Sequence, residues 1–202
     1  MGDHEETYRT FSLEVPDYYN FGFDVIDRLA LEDRNRLAMI WVNQEGNEKT
    51  FTFRQMMNLS NSAANMLLKY GVKKGDRVII MLPRVPEWWI FAIACIKLGA
   101  VFCPCPTMLT PKDLKYRIDA AKISVVITDK ENSGKVEEIS NDCPTLATRL
   151  LTDAKLPGWI SYIEEIDYPA PVSRHLVKIA GMERTKSTDP LVIYFTSGTT
   201  GE

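Results

Sequence analysis

Three apolar runs, Arg77 to Leu82, Ala100 to Cys105 and Ser124 to Thr128, lack the polar alternation of a strand with one wet face. A strand apolar on both faces must be covered on both faces, and parallel sheets clothed by helices are where that happens. Helix signals lie between the runs. Pro86 suits a first helical turn and Gly99 its C-terminal cap. Thr110-Pro-Lys-Asp113 opens a helix through Ala121, Glu131 to Ser140 forms another, and Leu146 to Leu151 supplies a further strand. This β-α-β-α-β alternation predicts an α/β fold with a largely parallel sheet and helices on both faces.

The flanks are simpler. Phe23 to Leu31 places Phe23, Ile26, Leu29 and Ala30 on one helical face. Leu37 to Val42 and Lys49 to Phe53 predict a short N-terminal β-hairpin across Asn43 to Asn47. Thr52 with Gln55 three residues on makes a capping box for a helix to Lys69, closed by Gly71. Residues 1–20 carry little pattern and are expected to be an extension, with residues 21–202 as the domain proper. Residues 153–190 lose the rhythm, being punctuated by Pro157, Pro169, Pro171 and Pro190, with one short helix near Trp159 to Ile166.

Composition excludes several classes. Formal net charge is −3, so no basic field argues for a nucleic-acid partner. The longest apolar stretches, such as Trp88 to Ile96, are half of a membrane span, and the acidic opening Met1 to Glu6 is no secretory signal. Glu6 also defeats a myristoylation motif at Gly2. A cytoplasmic protein is expected. Cys103-Pro-Cys105 should point both thiols to one side of the sheet, but with only His4 and His175 elsewhere a metal site lacks ligands. The four cysteines read as small buried hydrophobes in a reducing compartment.

The richest chemistry lies at the end. Leu191 to Phe195 reads as a buried strand, and Thr196-Ser-Gly-Thr-Thr-Gly201 follows it. Gly198 and Gly201 allow backbone N–H groups to converge, and Thr196, Ser197, Thr199 and Thr200 add hydroxyl donors, which together suit phosphate. A polar tail would share this composition. The triphosphatase pattern Gly-x-x-x-x-Gly-Lys-Ser/Thr does not fit.

Tyr194-Phe-Thr-Ser-Gly-Thr-Thr-Gly-Glu202 resembles the phosphate-binding signature of the AMP-forming acyl-CoA synthetases and other adenylate-forming enzymes, usually Tyr/Phe-Thr-Ser-Gly-Ser/Thr-Thr-Gly-x-Pro-Lys. Thr50-Phe-Thr-Phe-Arg54, Gly75-Asp-Arg-Val-Ile-Ile-Met-Leu-Pro83, Pro86 to Pro104 and Thr110 to Arg117 resemble further family segments in order. The Pro86-Glu-Trp-Trp89 string leans toward the medium-chain branch. The resemblance implies two half-reactions: a carboxylate attacks ATP to give acyl-AMP and pyrophosphate, then coenzyme A takes the acyl group. It assigns Thr196, Ser197, Gly198, Thr199, Thr200 and Gly201 to the ATP phosphates and no catalytic residue or metal ligand to this chain.

By the same resemblance the adenine pocket, the acidic residue engaging Mg2+, the ribose-binding aspartate and the lysine-bearing mobile domain all lie downstream. The chain alone is therefore expected to be catalytically incompetent, poorly soluble, and dependent on a complementing C-terminal polypeptide. The alternatives are an inactive truncated product and a stand-alone nucleotide- or acyl-binding module. Adjacent Trp88 and Trp89 cannot face one way, so one is expected in the core and the other at an interface. Met108 falls near the family's coenzyme A route by resemblance. Lys112 to Arg117 reads as a solvated helical face, and His175 receives no role.

Overall fold

A computed structural model describes residues 4–166 and 183–196. Its five-stranded parallel sheet has the order β4-β3-β5-β6-β7, formed by β3 (Arg77–Met81), β4 (Val101–Pro104), β5 (Val125–Thr128), β6 (Thr148–Leu151) and β7 (Ile160–Ser161). The expected runs are all in it. β3, first in sequence, lies inside, because the chain steps to β4 on one side and returns across it to β5 on the other. Such a reversal opens a crevice at the carboxyl ends of the strands, where open α/β sheets bind ligands.

The helices obey their caps. After β1 (Leu37–Val42) and β2 (Glu48–Thr52) form the antiparallel hairpin, Thr52 accepts from the Gln55 amide while the Gln55 side chain accepts from the Thr52 amide. This capping box opens α3 (Phe53–Lys69). α4 (Pro86–Leu98) starts on its proline and stops at Gly99, whose φ of 68° is the left-handed cap that an L side chain resists. Thr110 and Asp113 form a second capping box for α5 (Pro111–Ala121), and Asp129 caps α6 (Lys130–Ser140). α3 and α4 cover one face of the sheet with Phe91, Leu67 and Ile90 in the core. α5 and α6 cover the other with Leu114, Ile118 and Val136.

Several expectations need correction. The N-terminal helix is two pieces, a π-helical segment Gly22–Asp27 running into α2 (Arg28–Glu32). Within residues 4–20, which carried little sequence pattern, α1 (His4–Thr10) forms, and Tyr18 to Asn20 are strapped to residues 185–187. Asn20 donates to the Ile96 carbonyl at 2.8 Å and to Thr185 Oγ1 at 3.1 Å, which ties this strap to the end of α4. The helix expected near Trp159 is shorter, α7 (Tyr162–Glu165), because β7 claims the residues before it.

Leu191 to Phe195 is not a buried strand. Val192 pairs in parallel with Phe102 on the outer edge of β4, through a Phe102 amide bond to the Leu191 carbonyl and an Ile193 amide bond to the Phe102 carbonyl. Leu191 and Tyr194 stay exposed, as an edge position with one neighbour dictates.

Lys97 lies near the end of the apolar helix α4 with its side chain fully buried. Its ammonium donates to Asp27 Oδ1 at 2.6 Å and to Asn61 Oδ1 at 2.5 Å, and sits over the Phe23 ring. Burial pulls the Lys97 ammonium below its usual range and pushes the Asp27 carboxyl above its own, against their mutual attraction. The pair is a polar pin joining the N-terminal turn, α3 and α4.

Candidate phosphate site at the sheet edge

Because the 191–196 segment runs parallel to β4, it delivers Thr196 to the carboxyl edge of the sheet. Thr196 is exposed there. Ser197, Gly198, Thr199, Thr200 and Gly201, the rest of the expected phosphate site, lie outside the described residues, as does His175. What the described residues give is position: the chain up to Thr196 ends at the edge where open α/β sheets bind ligands.

What holds the launch point was not legible as a site. Phe195 packs between α5 side chains, its ring 6.2 Å from the Tyr116 ring and 5.0 Å from the Arg117 guanidinium. Arg117 is half-buried, so the solvated face read into Lys112 to Arg117 is wrong at that residue. The signal was present in the helical spacing. Leu114, Ile118 and Ala121 form the buried stripe, and Arg117 is three residues from one and four from another.

Arg117 also reaches Cys105 Sγ at 3.8 Å, and Cys105 Sγ lies 4.0 Å from Cys103 Sγ. The C-x-C thiols do share one side of the sheet. A hydrogen bond from Cys103 and the Arg117 charge bring Cys105 down to about 7 against its burial, while the bond to Cys105 and burial push Cys103 up. Cys95, sealed in apolar surroundings, is pushed up to about 12.

Beside β3 and β4, at their carboxyl ends, is a mostly apolar cleft of about 560 Å³ between the hairpin and α4. Trp41, Leu82, Trp88, Trp89 and Met108 line it. Trp41 is oriented by its indole N–H, which donates to the Arg84 carbonyl at 2.7 Å. Trp88 packs on the core and meets Trp89 edge-on at 4.7 Å, while Trp89 and Met108 are exposed. The tryptophans thus divide as their adjacency required. On the crevice side, Lys135 bridges the Thr107 carbonyl at 2.5 Å and Asn132 Oδ1 at 2.9 Å, fixing the loop after β4 to α6. Among the described residues no group of three or more His, Cys, Asp or Glu could hold a metal ion, and no helix is long and apolar enough to cross a membrane.

A parallel sheet with this strand order, and helices on both of its faces, define an open α/β protein of the class that binds ligands at the carboxyl ends of its strands. The chain belongs to the AMP-binding enzyme family, whose model matches residues 26–202. It is 42% identical over 205 residues to the mitochondrial acyl-coenzyme A synthetase ACSM5 of Rattus norvegicus, covering 96% of this chain and 34% of that protein. The mitochondrial acyl-coenzyme A synthetase ACSM4 of the same animal is 38% identical, over 98% of this chain and 34% of its own length. The chain spans about a third of the length of these curated relatives. Among solved structures, the anthranilate CoA ligase AuaEII in complex with anthranoyl-AMP aligns with a TM-score of 0.74 at 26% identity, over 93% of this chain and 33% of that one. A Brucella canis acyl-CoA synthetase aligns at 0.82 and 22% identity, over 98% of this chain and 37% of that one, and speaks for the fold.

Proposed function

We propose that this chain forms the amino-terminal third of an AMP-forming acyl-CoA synthetase, in which the loop Thr196, Ser197, Gly198, Thr199, Thr200 and Gly201 grips the β- and γ-phosphates of ATP. The observation that carries this is the parallel pairing of Val192 with Phe102, which directs the segment entering the loop to the carboxyl edge of the sheet. Hydroxyls and backbone amides there would take up charge as pyrophosphate leaves the α-phosphate under attack by a carboxylic acid. Residues 21–202 serve as an incomplete N-terminal domain and residues 1–20 as its extension.

Magnesium and coenzyme A belong to the complete reaction. ATP brings the magnesium, whose protein ligand is assigned downstream with the adenine and ribose contacts. In the relatives one polypeptide carries both the matched third and the remainder, so a separately encoded complementing chain gains no support from them. The relatives are mitochondrial by name, and four reduced cysteines suit that interior as well as the cytoplasm.

The test joins residues 1–202 to the downstream two thirds of the rat ACSM5 relative and measures ATP–pyrophosphate exchange with short and medium fatty acids. Acid-dependent exchange by the joined protein, and none by residues 1–202 alone, is the expected result. Comparable exchange by residues 1–202 alone would overturn the reading.

A further inference from the structure

Cys103 and Cys105 are both buried within the core that packs under α5, yet they differ from the other cysteines in having each other. Their sulfurs are 4.0 Å apart, and a cationic side chain, Arg117, lies 3.8 Å from one of them. We propose that Cys103-Pro104-Cys105 is a redox-active dithiol, with Cys105 as the attacking sulfur and Cys103 as the resolving one, closed to a disulfide by hydrogen peroxide.

The geometry permits the bridge. Residues two apart on a strand have Cα atoms about 6.6 Å apart, inside the upper limit of roughly 6.8 Å for a disulfide. Rotation about the two Cα–Cβ bonds must bring the sulfurs about 2 Å closer to reach bonding distance. β4 ends at Pro104, so Cys105 lies beyond the strand and is held by one backbone bond to the Ile80 carbonyl. A bridge formed at the edge of allowed geometry is strained and easily reduced, which suits a reversible pair.

The chemistry balances. Cys105 gives up its proton, and the thiolate attacks one peroxide oxygen; an S–O bond forms, the O–O bond breaks, and the leaving hydroxide takes up that proton as water. Cys103 sulfur then attacks the Cys105 sulfenic acid; the S–S bond forms, the S–O bond breaks, and the departing hydroxide takes the Cys103 proton as water. Two electrons pass from the dithiol to the peroxide. Arg117 favours the charged form of Cys105 in the first step, and the lowered pKa of Cys105, about 7, makes it the thiolate of the set. Burial pushes Cys95 and Cys143 up, at Cys143 with the Asp119 charge and against that of Lys115. Arg117 also contacts Phe195, so loss of the thiolate removes one partner of the arginine that packs on the segment leading to Thr196. The dithiol stands whether or not residues 196–201 grip phosphate.

The reduced 202-residue chain is titrated with hydrogen peroxide, blocked with N-ethylmaleimide and read by peptide mass spectrometry. The peptide holding Cys103 and Cys105 is expected to lose two hydrogens before Cys95 or Cys143 changes, and to regain them with dithiothreitol. Cys103→Ser should stall at a dimedone-reactive Cys105 sulfenic acid, and Arg117→Gln should slow Cys105 oxidation about tenfold. The unsubstituted chain decides the matter even if a variant does not fold. Cys103 and Cys105 still alkylatable when Cys143 is oxidised, or oxidation there with no disulfide formed, would overturn the proposal.

Discussion

Removing Asp27 should be far more damaging than its partly exposed position implies. Its partner Lys97 has no exposed side-chain surface, whereas Asp27 retains 17%. Asp27→Ala leaves the ammonium with Asn61 and the Met57 carbonyl, neutral acceptors that do not cancel a buried charge. Breaking a buried pair in this way costs about 3–5 kcal/mol, a large part of the roughly 5–15 kcal/mol that holds a domain together. Lys97→Met should cost less, because Asp27 can meet water or take up a proton. Asp27→Leu combined with Lys97→Met should return to within about 1 kcal/mol of the parent, since apolar replacement of a whole pair is often neutral. The pH response has a fixed sign. Lys97 binds its proton less tightly folded than unfolded, so the Asp27→Ala penalty is full at neutral pH and is relieved as pH rises toward the ordinary lysine value of 10.5. Urea unfolding of the four proteins at neutral pH and near pH 10 measures all of this. An Asp27→Ala protein within about 1 kcal/mol of the parent at neutral pH, with no recovery on raising pH, would refute the reasoning.

Two simpler changes probe the elements that position the sheet edge. Gly99→Ala forces a side chain into the left-handed cap, where a Cβ would lie 2.8 Å from Thr185 Cγ2 and 3.0 Å from Lys74 Cγ. A loss of about 2 kcal/mol is expected in urea unfolding, with faster amide exchange in residues 183–187. Thr52→Ala removes one half of the capping box of α3 and should cost about 1 kcal/mol, with Thr52→Ser restoring most of it. Equal stability of the alanine and serine forms would show that the cap contributes nothing.

The sheet and its helices were legible because their determinants are local. β3 and β5 announce themselves by unbroken apolar runs, and α3, α4 and α5 by Thr52, Pro86, Gly99 and Thr110 at their ends. β7 was not, since two residues carry no period and join the sheet only because β6 offers an edge. The Lys97 pin was hidden for another reason: its partners Asn20, Asp27 and Asn61 are 36 to 77 residues away, and no local pattern pairs them. At the site, the loop composition was plain, but its mooring was not. Phe195 is held by Arg117, an arginine that reads as solvent-facing until the buried stripe of α5 is drawn through Leu114 and Ile118.

The claim that the hydroxyl-glycine loop grips the triphosphate is tested most directly by the KM for ATP in the exchange reaction of the joined protein. Replacing Thr199 and Thr200 together by valine removes two hydroxyls from an anion, each such bond being worth about 1.5–3 kcal/mol. A rise in the KM for ATP of about 100-fold or more, with the KM for the fatty acid unchanged, is the predicted result. An unchanged KM for ATP in a folded, active variant would contradict it.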